Sequence, residues 1–378
     1  MIEYIGKNSI KHLQSIIKKY SFKNIFLVTG KKSFEISKAK KIVMNVLKDC
    51  NIMRFFNFSP NPKIEDIKKG LELFKKDRYN VIIAVGGGSV IDIAKSIAIF
   101  STNNGMIEKY IKKEINVEKN GPPLICIPTT AGSGSQATHF AVIYINKKKY
   151  SLGHPTFMLP DYSIVDPQFT YSLPPKITAS TGMDALSQAI ESYWNINSTK
   201  ESKKYAEKAI KLVVNNLVKA VNNLNKESRR NMSIAAHYAG KAINITKTTA
   251  CHAISYPITS YFNVPHGHAV ALTLPNMFIY NSEVNEIDIL DPRGLDYVKK
   301  TMKKLETIIG VSTSFEAKLK IEQIMLKIGL EIKLNKLGIK TQEDIELIIK
   351  NGFNPERVKN NPRKLTEENL RNILEEIK

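Results

Sequence analysis

The segment STGMDALSQAIESYW, Ser180 to Trp194, places an acid and an amide four residues apart within an apolar, helix-like pattern. At this spacing Asp184 and Gln188 share one face of a helix. A carboxylate and an amide side by side on a face that otherwise looks buried indicate a polar role, and ligation of a metal ion is one candidate. Histidine would be the usual ligand at the second position, which makes the glutamine unexpected.

A second group of candidate ligands lies in CHAISYPITSYFNVPHGHA, residues 251–269. His252 and His266 flank an apolar stretch there. Together with the acid and the amide they would give a mixed nitrogen and oxygen site, which suits Fe(II), Zn(II), Ni(II) or Co(II) better than Ca(II). The two groups are far apart along the chain, so purely structural histidines remain an alternative.

Two glycine-rich turns follow strand-like runs in the first half of the chain. Gly86 to Ser89 joins VIIAV to a helical pattern, and PTTAGSGS at residues 128–135 ends a second apolar run. Consecutive glycines let backbone N–H groups approach a phosphate, and a helix N-terminus favours the anion. A single turn of this kind can be a tight connection without a ligand. Two of them at strand ends favour a dinucleotide crevice.

The first strand-like run ends at Gly30, Lys31 and Lys32. An acidic residue at such a position would bind a ribose 2′-hydroxyl and repel a 2′-phosphate. Lysines in its place favour NADPH over NADH. The alternative is that both lysines are only solvated.

These residues need two kinds of scaffold. NIFLVTG, VIIAVGGGS and PLICIPTTAGSGS alternate with helical patterns such as EDIKKGLELFKKD, and this alternation predicts a doubly wound parallel sheet. The pattern changes at residues 163–176, where prolines break regular structure. We therefore expect a Rossmann-like α/β domain over residues 1–166 and a helical domain over residues 167–378. Thr341 and Thr366 precede acidic first turns in the second half and are predicted helix N-caps.

The composition restricts the other possible classes. The longest apolar runs are too short to cross a bilayer, and the N-terminus lacks a secretory pattern. The three cysteines form no CxxC pair, which favours a reducing cytoplasm. The formal charge of +21 would fit a nucleic-acid partner, but the lysines are scattered along the chain. We expect no nucleic-acid or membrane partner, while the positive field would attract a small anionic substrate.

The motifs GGGSVIDIAKSIA, IPTTAGSGSQAT, STGMDALSQAIESY and HAISYPITSYFNVPHGHAVALTLP together resemble the iron-containing (group III) alcohol dehydrogenase family. The resemblance covers nearly the whole chain. It implies a dinucleotide-binding α/β domain followed by a helical, dehydroquinate synthase-like domain. It further implies a metal-dependent active site in the cleft between them, NAD(P)H as cofactor, Fe2+ or Zn2+ as metal, and a homodimer.

The resemblance also assigns roles to individual residues. Asp184, His252 and His266 match the family's metal ligands, and Gln188 falls where a fourth ligand, a histidine, is usual. The residues matching cofactor contacts are Gly87, Gly88, Ser89, Asp92, Thr129, Thr130, Ser133 and Lys149, and the strand end adds Gly30 and Lys31 as candidates. Tyr256 stands where many relatives carry a histidine that delivers a proton. A phenol can donate a proton, but its ordinary pKa near 10 matches neutral pH less well.

Within the family, the segments DALSQAIESYW, HAISYP and PHGHAVALTLP are similar to those of the phosphonoacetaldehyde reductases, which make 2-hydroxyethylphosphonate. Such a substrate carries a phosphonate dianion and requires cations or N–H donors. His139, Lys149, His154 and His268 are candidates, and His268 is preferred because it lies two residues from His266.

Three alternatives remain open from sequence. The substrate can be an uncharged short-chain aldehyde or alcohol. The reaction can be that of a lyase with transiently used NAD, as in dehydroquinate synthase. A non-enzymatic basic protein would explain the charge, but it leaves the glycine-rich turns and the histidines without a role.

Overall fold

The buried strands of the first half form one parallel sheet, as the sequence predicts. The computed structural model describes residues 1–146 and 148–378, with only the backbone of Glu356. The chain divides into two units, Met1–Leu173 and Pro174–Lys378, a few residues beyond the boundary expected at residue 166.

The first unit contains eight strands among its described residues, and six of them make the sheet. The strands are β1 (Ile2–Ile5), β2 (Asn24–Thr29), β3 (Asn51–Phe55), β4 (Val81–Gly86), β5 (Leu124–Pro128), β6 (Phe140–Ile145), β7 (Lys148–Gly153) and β8 (Tyr162–Val165). The helices are α1 (Lys11–Lys19), α2 (Ser33–Ile36), α3 (Ala39–Val46), α4 (Ile64–Phe74), α5 (Gly88–Phe100) and α6 (Ile107–Ile111), with 3-10 turns at Ser135–Ala137 and Pro167–Thr170.

The sheet has the strand order β1-β8-β5-β4-β2-β3, and every pair in it is parallel. From β2 the chain passes outward to β3 and then returns to the other side of β2 as β4. The winding direction therefore reverses between β2 and β4. Ligands of open parallel sheets bind at such a switch point, outside the carboxyl ends of the strands. A separate antiparallel hairpin, β6–β7, completes the unit.

Both faces of the sheet are covered, which explains the continuous apolar runs. Alternate residues of one strand belong to two separate cores. Ile82 and Ala84 of β4 pack into one core, whereas Val81, Ile83 and Val85 pack into the other. The period of two in a fully buried strand follows from the pleat, which points successive side chains to opposite faces.

The second unit is helical. Its helices are α7 (Pro175–Trp194), α8 (Lys200–Asn222), α9 (Lys226–Thr246), α10 (Ala250–Phe262), α11 (His266–Ser282), α12 (Leu295–Ile309), α13 (Ser314–Lys327), α14 (Gln342–Gly352), α15 (Pro355–Val358) and α16 (Glu367–Glu376), with a 3-10 turn at Leu334–Leu337. Between residues 174 and 378, where the backbone is described throughout, the only strand-like pairing is the isolated bridge Ile289–Arg363.

The N-caps predicted at Thr341 and Thr366 are confirmed. Each hydroxyl accepts a hydrogen bond from a backbone N–H three residues on, that of Asp344 or Asn369. α7 is the central helix of the unit and is buried along most of its length from Thr178 to Trp194. No helix in the described part of the chain combines the length and apolar character needed to cross a bilayer.

A buried lysine fastens α5 to the segment that follows β5. Lys95 is 1% exposed, and its Nζ donates to the carbonyl oxygens of Ser135 at 2.7 Å, Thr138 at 2.6 Å and Phe140 at 2.9 Å. Burial lowers the pKa of Lys95 to about 8, with the carboxylate of Asp92 offsetting part of the effect. The amine therefore keeps its proton at neutral pH and can satisfy these acceptors.

The substitution Lys95→Met should destabilise the protein by about 2 kcal/mol or more, because it removes the buried charged donor that bonds three carbonyl oxygens after β5. A lower urea midpoint of unfolding would show this. Lys69→Met, on the exposed side of α4, is the control and should change stability by no more than about 0.5 kcal/mol. Equal midpoints for the two variants would contradict the role of Lys95.

Candidate functional site

Three of the four predicted metal ligands meet in the second unit. Asp184 on α7, His252 on α10 and His266 on α11 each offer a ligand atom, and these atoms lie within 4.8 Å of one another. Nε2 of His252 is 3.4 Å from Oδ1 of Asp184, and the two imidazole centroids are 5.6 Å apart. Asp184 and His252 are each 5% exposed and His266 is partly exposed, so residues distant in sequence form one largely buried cluster.

The approach of α11 to α7 depends on a glycine. A Cβ on Gly267 would lie 1.9 Å from the carbonyl oxygen of Ser180 and 2.8 Å from Cβ of Asp184. Real Cβ atoms do not come so close to a backbone atom, so no larger residue fits without moving the helix. The glycine therefore lets His266, its neighbour, reach the ligand on α7.

The predicted fourth ligand, Gln188, lies beside this group. It is 4% exposed, and its amide Nε2 donates to Oδ1 of Asp184 at 3.1 Å. The assignment of amide oxygen and nitrogen rests on the hydrogen-bond network. Ligation by Gln188 would require the amide oxygen to face the cluster, and this part of the prediction stays a prediction.

A buried carboxylate that the sequence interpretation missed stands behind His252. Glu191 is 0% exposed, and its Oε2 contacts Nδ1 of His252 closely. The signal was in the sequence, because Asp184, Gln188 and Glu191 have the i, i+4, i+7 spacing of a single helix face. Burial acts to lower the pKa of His252, but the carboxylates of Glu191 and Asp184 outweigh it and raise the pKa.

Ser255 occupies a corresponding place beside His266. Its Oγ donates to the carbonyl oxygen of His252 at 2.7 Å and lies 3.4 Å from Nδ1 of His266. With the hydroxyl proton used for the carbonyl, Oγ is left to accept from Nδ1 of His266. Tyr256, the predicted proton donor, is close by, with its ring centroid 6.4 Å from that of His266.

His268, the preferred candidate for contact with the substrate anion, is engaged elsewhere. Its Nε2 lies 2.6 Å from the carbonyl oxygen of Glu331, which can only accept, so Nε2 carries the proton. Burial lowers the pKa of His268. The cluster of three ligands in the described structure does not include His268.

The two predicted glycine-rich turns lie together in the first unit, at the carboxyl ends of the neighbouring strands β4 and β5. The N–H of Thr129 donates to the carbonyl oxygen of Gly86 at 3.0 Å. A Cβ on Gly87 would lie 3.2 Å from Thr130, and one on Gly88 only 2.6 Å from Oγ of Ser133. The predicted cofactor residues of both turns are therefore in contact at the N-terminus of α5, where a phosphate is favoured.

Other predicted cofactor residues support these turns. Oγ of Ser89 accepts from the N–H of Asn61 at 3.2 Å. Asp92 accepts from Oγ of Ser135 at 2.6 Å and from the N–H of Val142 at 3.1 Å. Burial raises the pKa of Asp92, while the positive charges of Lys95 and Lys149 act in the opposite direction. Asp92 thus links α5 to the β6–β7 hairpin, on which Lys149 lies.

Gly30 and Lys31 follow β2, the strand on the other side of the switch point. Here the structure adds a cation that the sequence interpretation missed. Arg54 at the end of β3 donates from Nε to Oγ1 of Thr29 at 2.8 Å and from Nη2 to the carbonyl oxygen of Gly30 at 3.3 Å. Its guanidinium also stacks 4.8 Å from the ring of Phe34, so this strand end carries fixed positive charge.

The donor set of the cluster fits a divalent metal of the Fe(II) or Zn(II) type. It combines one carboxylate and two imidazoles, a combination found in iron and catalytic zinc sites. Nε2 of His252 is buried and makes no hydrogen bond to any described residue. A buried ring nitrogen without a hydrogen-bond partner is suited to ligating a metal ion.

A parallel sheet with two touching glycine-rich turns beside its switch point and a carboxylate–imidazole cluster are features expected of a metal-dependent nicotinamide oxidoreductase. Comparison with known proteins identifies the family. Residues 3–167 match the sequence model of iron-containing alcohol dehydrogenase, and residues 178–378 match that of the C-terminal region of the Fe-containing alcohol dehydrogenase family. The chain belongs to the iron-containing alcohol dehydrogenase family and is an oxidoreductase acting on alcohols or aldehydes with a nicotinamide cofactor.

Individual relatives cover essentially the whole chain. The 1,3-propanediol dehydrogenase of Citrobacter freundii is 30% identical over 99% of this chain and 96% of its own length. The NAD-dependent methanol dehydrogenase of Bacillus methanolicus is 29% identical, with 98% and 96% covered. The sulfoacetaldehyde reductase of Bifidobacterium kashiwanohense, solved in complex with NAD+, superimposes with a TM-score of 0.89 at 30% identity and covers 100% of this chain and 96% of its own.

The substitution Gly267→Ala tests the close contact between α11 and α7, because the contact determines whether the variant gains or loses stability. Alanine is the better helix former by about 1 kcal/mol, so a tolerant site would gain stability. We expect instead a loss of about 2 kcal/mol or more and weaker Zn2+ binding, because α11 must move away from α7. Thermal unfolding and chelator competition measure the two effects. A stabilised variant with unchanged Zn2+ affinity would contradict this interpretation.

Proposed function

We propose that this protein is a metal-dependent NAD(P)H-linked reductase that transfers hydride to a small anionic aldehyde. Phosphonoacetaldehyde, giving 2-hydroxyethylphosphonate, is the first candidate. The observation that carries the proposal is the convergence of Asp184, His252 and His266 in a chain whose first unit has two touching glycine-rich turns.

Different residues of the chain would bind the metal ion and the cofactor. Asp184, His252 and His266 would hold the metal ion, with Gln188 as a fourth ligand through its amide oxygen. When bound, the metal supplies Lewis acidity to the aldehyde oxygen and the reduced nicotinamide supplies the hydride. The N–H groups at the start of α5 would bind the pyrophosphate, which fixes the position of the cofactor.

The product alkoxide needs a proton. Tyr256 is the candidate in this chain, because it is close to His266 and a phenol keeps its proton at neutral pH. It would deliver the proton directly or through water. Gln188, as an amide ligand, and Tyr256, as a phenol, would thus occupy two positions at which many members of the family have histidines.

An anionic substrate is supported by two observations. The chain has a formal charge of +21, which favours encounter with anions, and a similar solved structure is a sulfoacetaldehyde reductase. Sulfonates and phosphonates are both tetrahedral anions on a short aldehyde. His139, Lys149, His154 and His268 are the candidate contacts. Nδ1 of His154 already accepts from the N–H of Phe157 at 3.1 Å, which leaves its Nε2 edge for a ligand.

Relatives that act on methanol and 1,3-propanediol support a second candidate, an uncharged short-chain alcohol or aldehyde. A panel of phosphonoacetaldehyde, sulfoacetaldehyde and butyraldehyde separates the two. We expect kcat/KM for phosphonoacetaldehyde to exceed that for butyraldehyde by about 100-fold, because an anion site left without its charge is penalised. A preference for butyraldehyde would exclude the anionic class, and a preference for sulfoacetaldehyde would replace the phosphonate by a sulfonate.

The charges at the end of β2 support a proposal for the coenzyme. Lys31, Lys32 and the guanidinium of Arg54 favour a 2′-phosphate, so we propose NADPH over NADH. Lys31→Glu should lower kcat/KM for NADPH by about tenfold and leave NADH nearly unaffected, because only the phosphorylated cofactor meets the reversed charge. Lys76→Glu is the matched control, because Lys76 lies in the loop before β4, at the amino ends of the strands. A parallel loss with both cofactors would count against the assignment.

A further inference from the structure

Glu191 makes four polar contacts from a completely buried position. Its Oε1 accepts from the N–H of Thr249 at 3.2 Å, from Oγ1 of Thr249 at 2.8 Å and from the N–H of His252 at 3.2 Å. Its Oε2 contacts Nδ1 of His252. A charge at this depth persists only when its oxygens are satisfied, and all four contacts lead to α10 and the residue before it.

The two oxygens have different tasks. Thr249 is the N-cap residue of α10, yet its side chain makes no capping bond to that helix and donates to Glu191 instead. Oε1 thereby satisfies backbone N–H groups at the helix start that have no partner within the helix, a task usually done by the N-cap side chain. Because backbone N–H groups can only donate, an acceptor atom must always occupy the place of Oε1.

Oε2 determines which nitrogen of His252 carries the proton. A carboxylate only accepts, so the neutral imidazole must present Nδ1–H to it. The lone pair then lies on Nε2, the nitrogen 3.4 Å from Asp184. Carboxylate–histidine pairs of this kind orient metal ligands and raise their basicity.

We propose that Glu191 is a positioning residue for the metal centre, which holds His252 in the tautomer whose Nε2 lone pair faces Asp184 and His266. The proposal rests on the metal-dependent function above. Glu191 itself binds neither metal nor substrate. It joins the start of α10 to the protonation pattern of the ligand that α10 carries.

The substitution Glu191→Gln separates the two tasks. The amide oxygen must take the place of Oε1, since the N–H groups of Thr249 and His252 face it. The NH2 group must then face Nδ1 of His252, which can only accept from it, and the ring proton moves to Nε2. The variant keeps its shape and the helix cap but reverses the tautomer.

The experiment measures Zn2+ affinity by chelator competition and the imidazole tautomer by 15N NMR of the metal-free protein at an alkaline pH where the ring is neutral. The His252 signals are assigned by their loss in His252→Ala. We expect at least a tenfold loss of Zn2+ affinity in Glu191→Gln, with Nδ1–H in the wild type and Nε2–H in the variant. Glu306→Gln, which neutralises a buried carboxylate on α12, should retain wild-type affinity and tautomer.

Each outcome bears on a specific claim. Equal Zn2+ affinity in wild type and Glu191→Gln overturns the proposal, and so does a wild-type His252 with its proton on Nε2, whether or not the variant folds. A wild-type protein that binds neither Zn2+ nor Fe2+ would overturn the proposed function instead. The tautomer measurement would then still test whether Glu191 fixes the proton of His252 on Nδ1.

Discussion

The metal-ligand cluster depends on a steric constraint between two helices. α11 approaches α7 so closely that the chain at Gly267 has no room for a side chain, and this contact sets the position of His266 relative to Asp184. A ligand cluster needs accuracy of a fraction of an ångström, which flexible loops do not provide. Backbone-to-backbone contact between helices does provide it, because neither partner can yield.

Close contact at glycines also occurs in the first unit. The glycine-rich turns after β4 and β5 touch at Gly87 and Gly88, so their N–H groups share one small surface. Lys95 and Asp92 then tie α5 to the segment after β5 and to the β6–β7 hairpin. Their burial carries an electrostatic cost, and saturation of their hydrogen bonds offsets it. Both candidate sites are therefore built from rigid elements, with small residues at the contacts.

Much of this architecture is predictable from sequence. The fold class, the strands β2, β4 and β5 and the helical second half follow from periodicity, and the motif resemblance gave the family correctly. Short or half-exposed strands such as β1 and β3 escaped notice, since their patterns are too brief to distinguish from loops. Residue types suggested the metal ligands, and the resemblance assigned them. Spacing could not bring α7, α10 and α11 together.

Glu191 and Arg54 were missed for a different reason. Each acts through a partner that becomes adjacent only in the folded chain, namely His252 and Gly30. A helix-face argument could have selected Glu191, but nothing in one sequence shows which ring nitrogen it contacts. Sequence patterns gave candidates for the substrate and the coenzyme, but recognition of either depends on charges contributed by several elements.

The first turn of α10 is capped by Glu191 of α7, and this has a consequence for how the protein folds. α10 has a proline, Pro257, in its interior, and its N-cap side chain makes no capping bond. A helix with these two defects is a poor autonomous nucleus. We therefore expect its first turn to become stable only when α7 supplies Glu191, so that His252 acquires its orientation together with its helix.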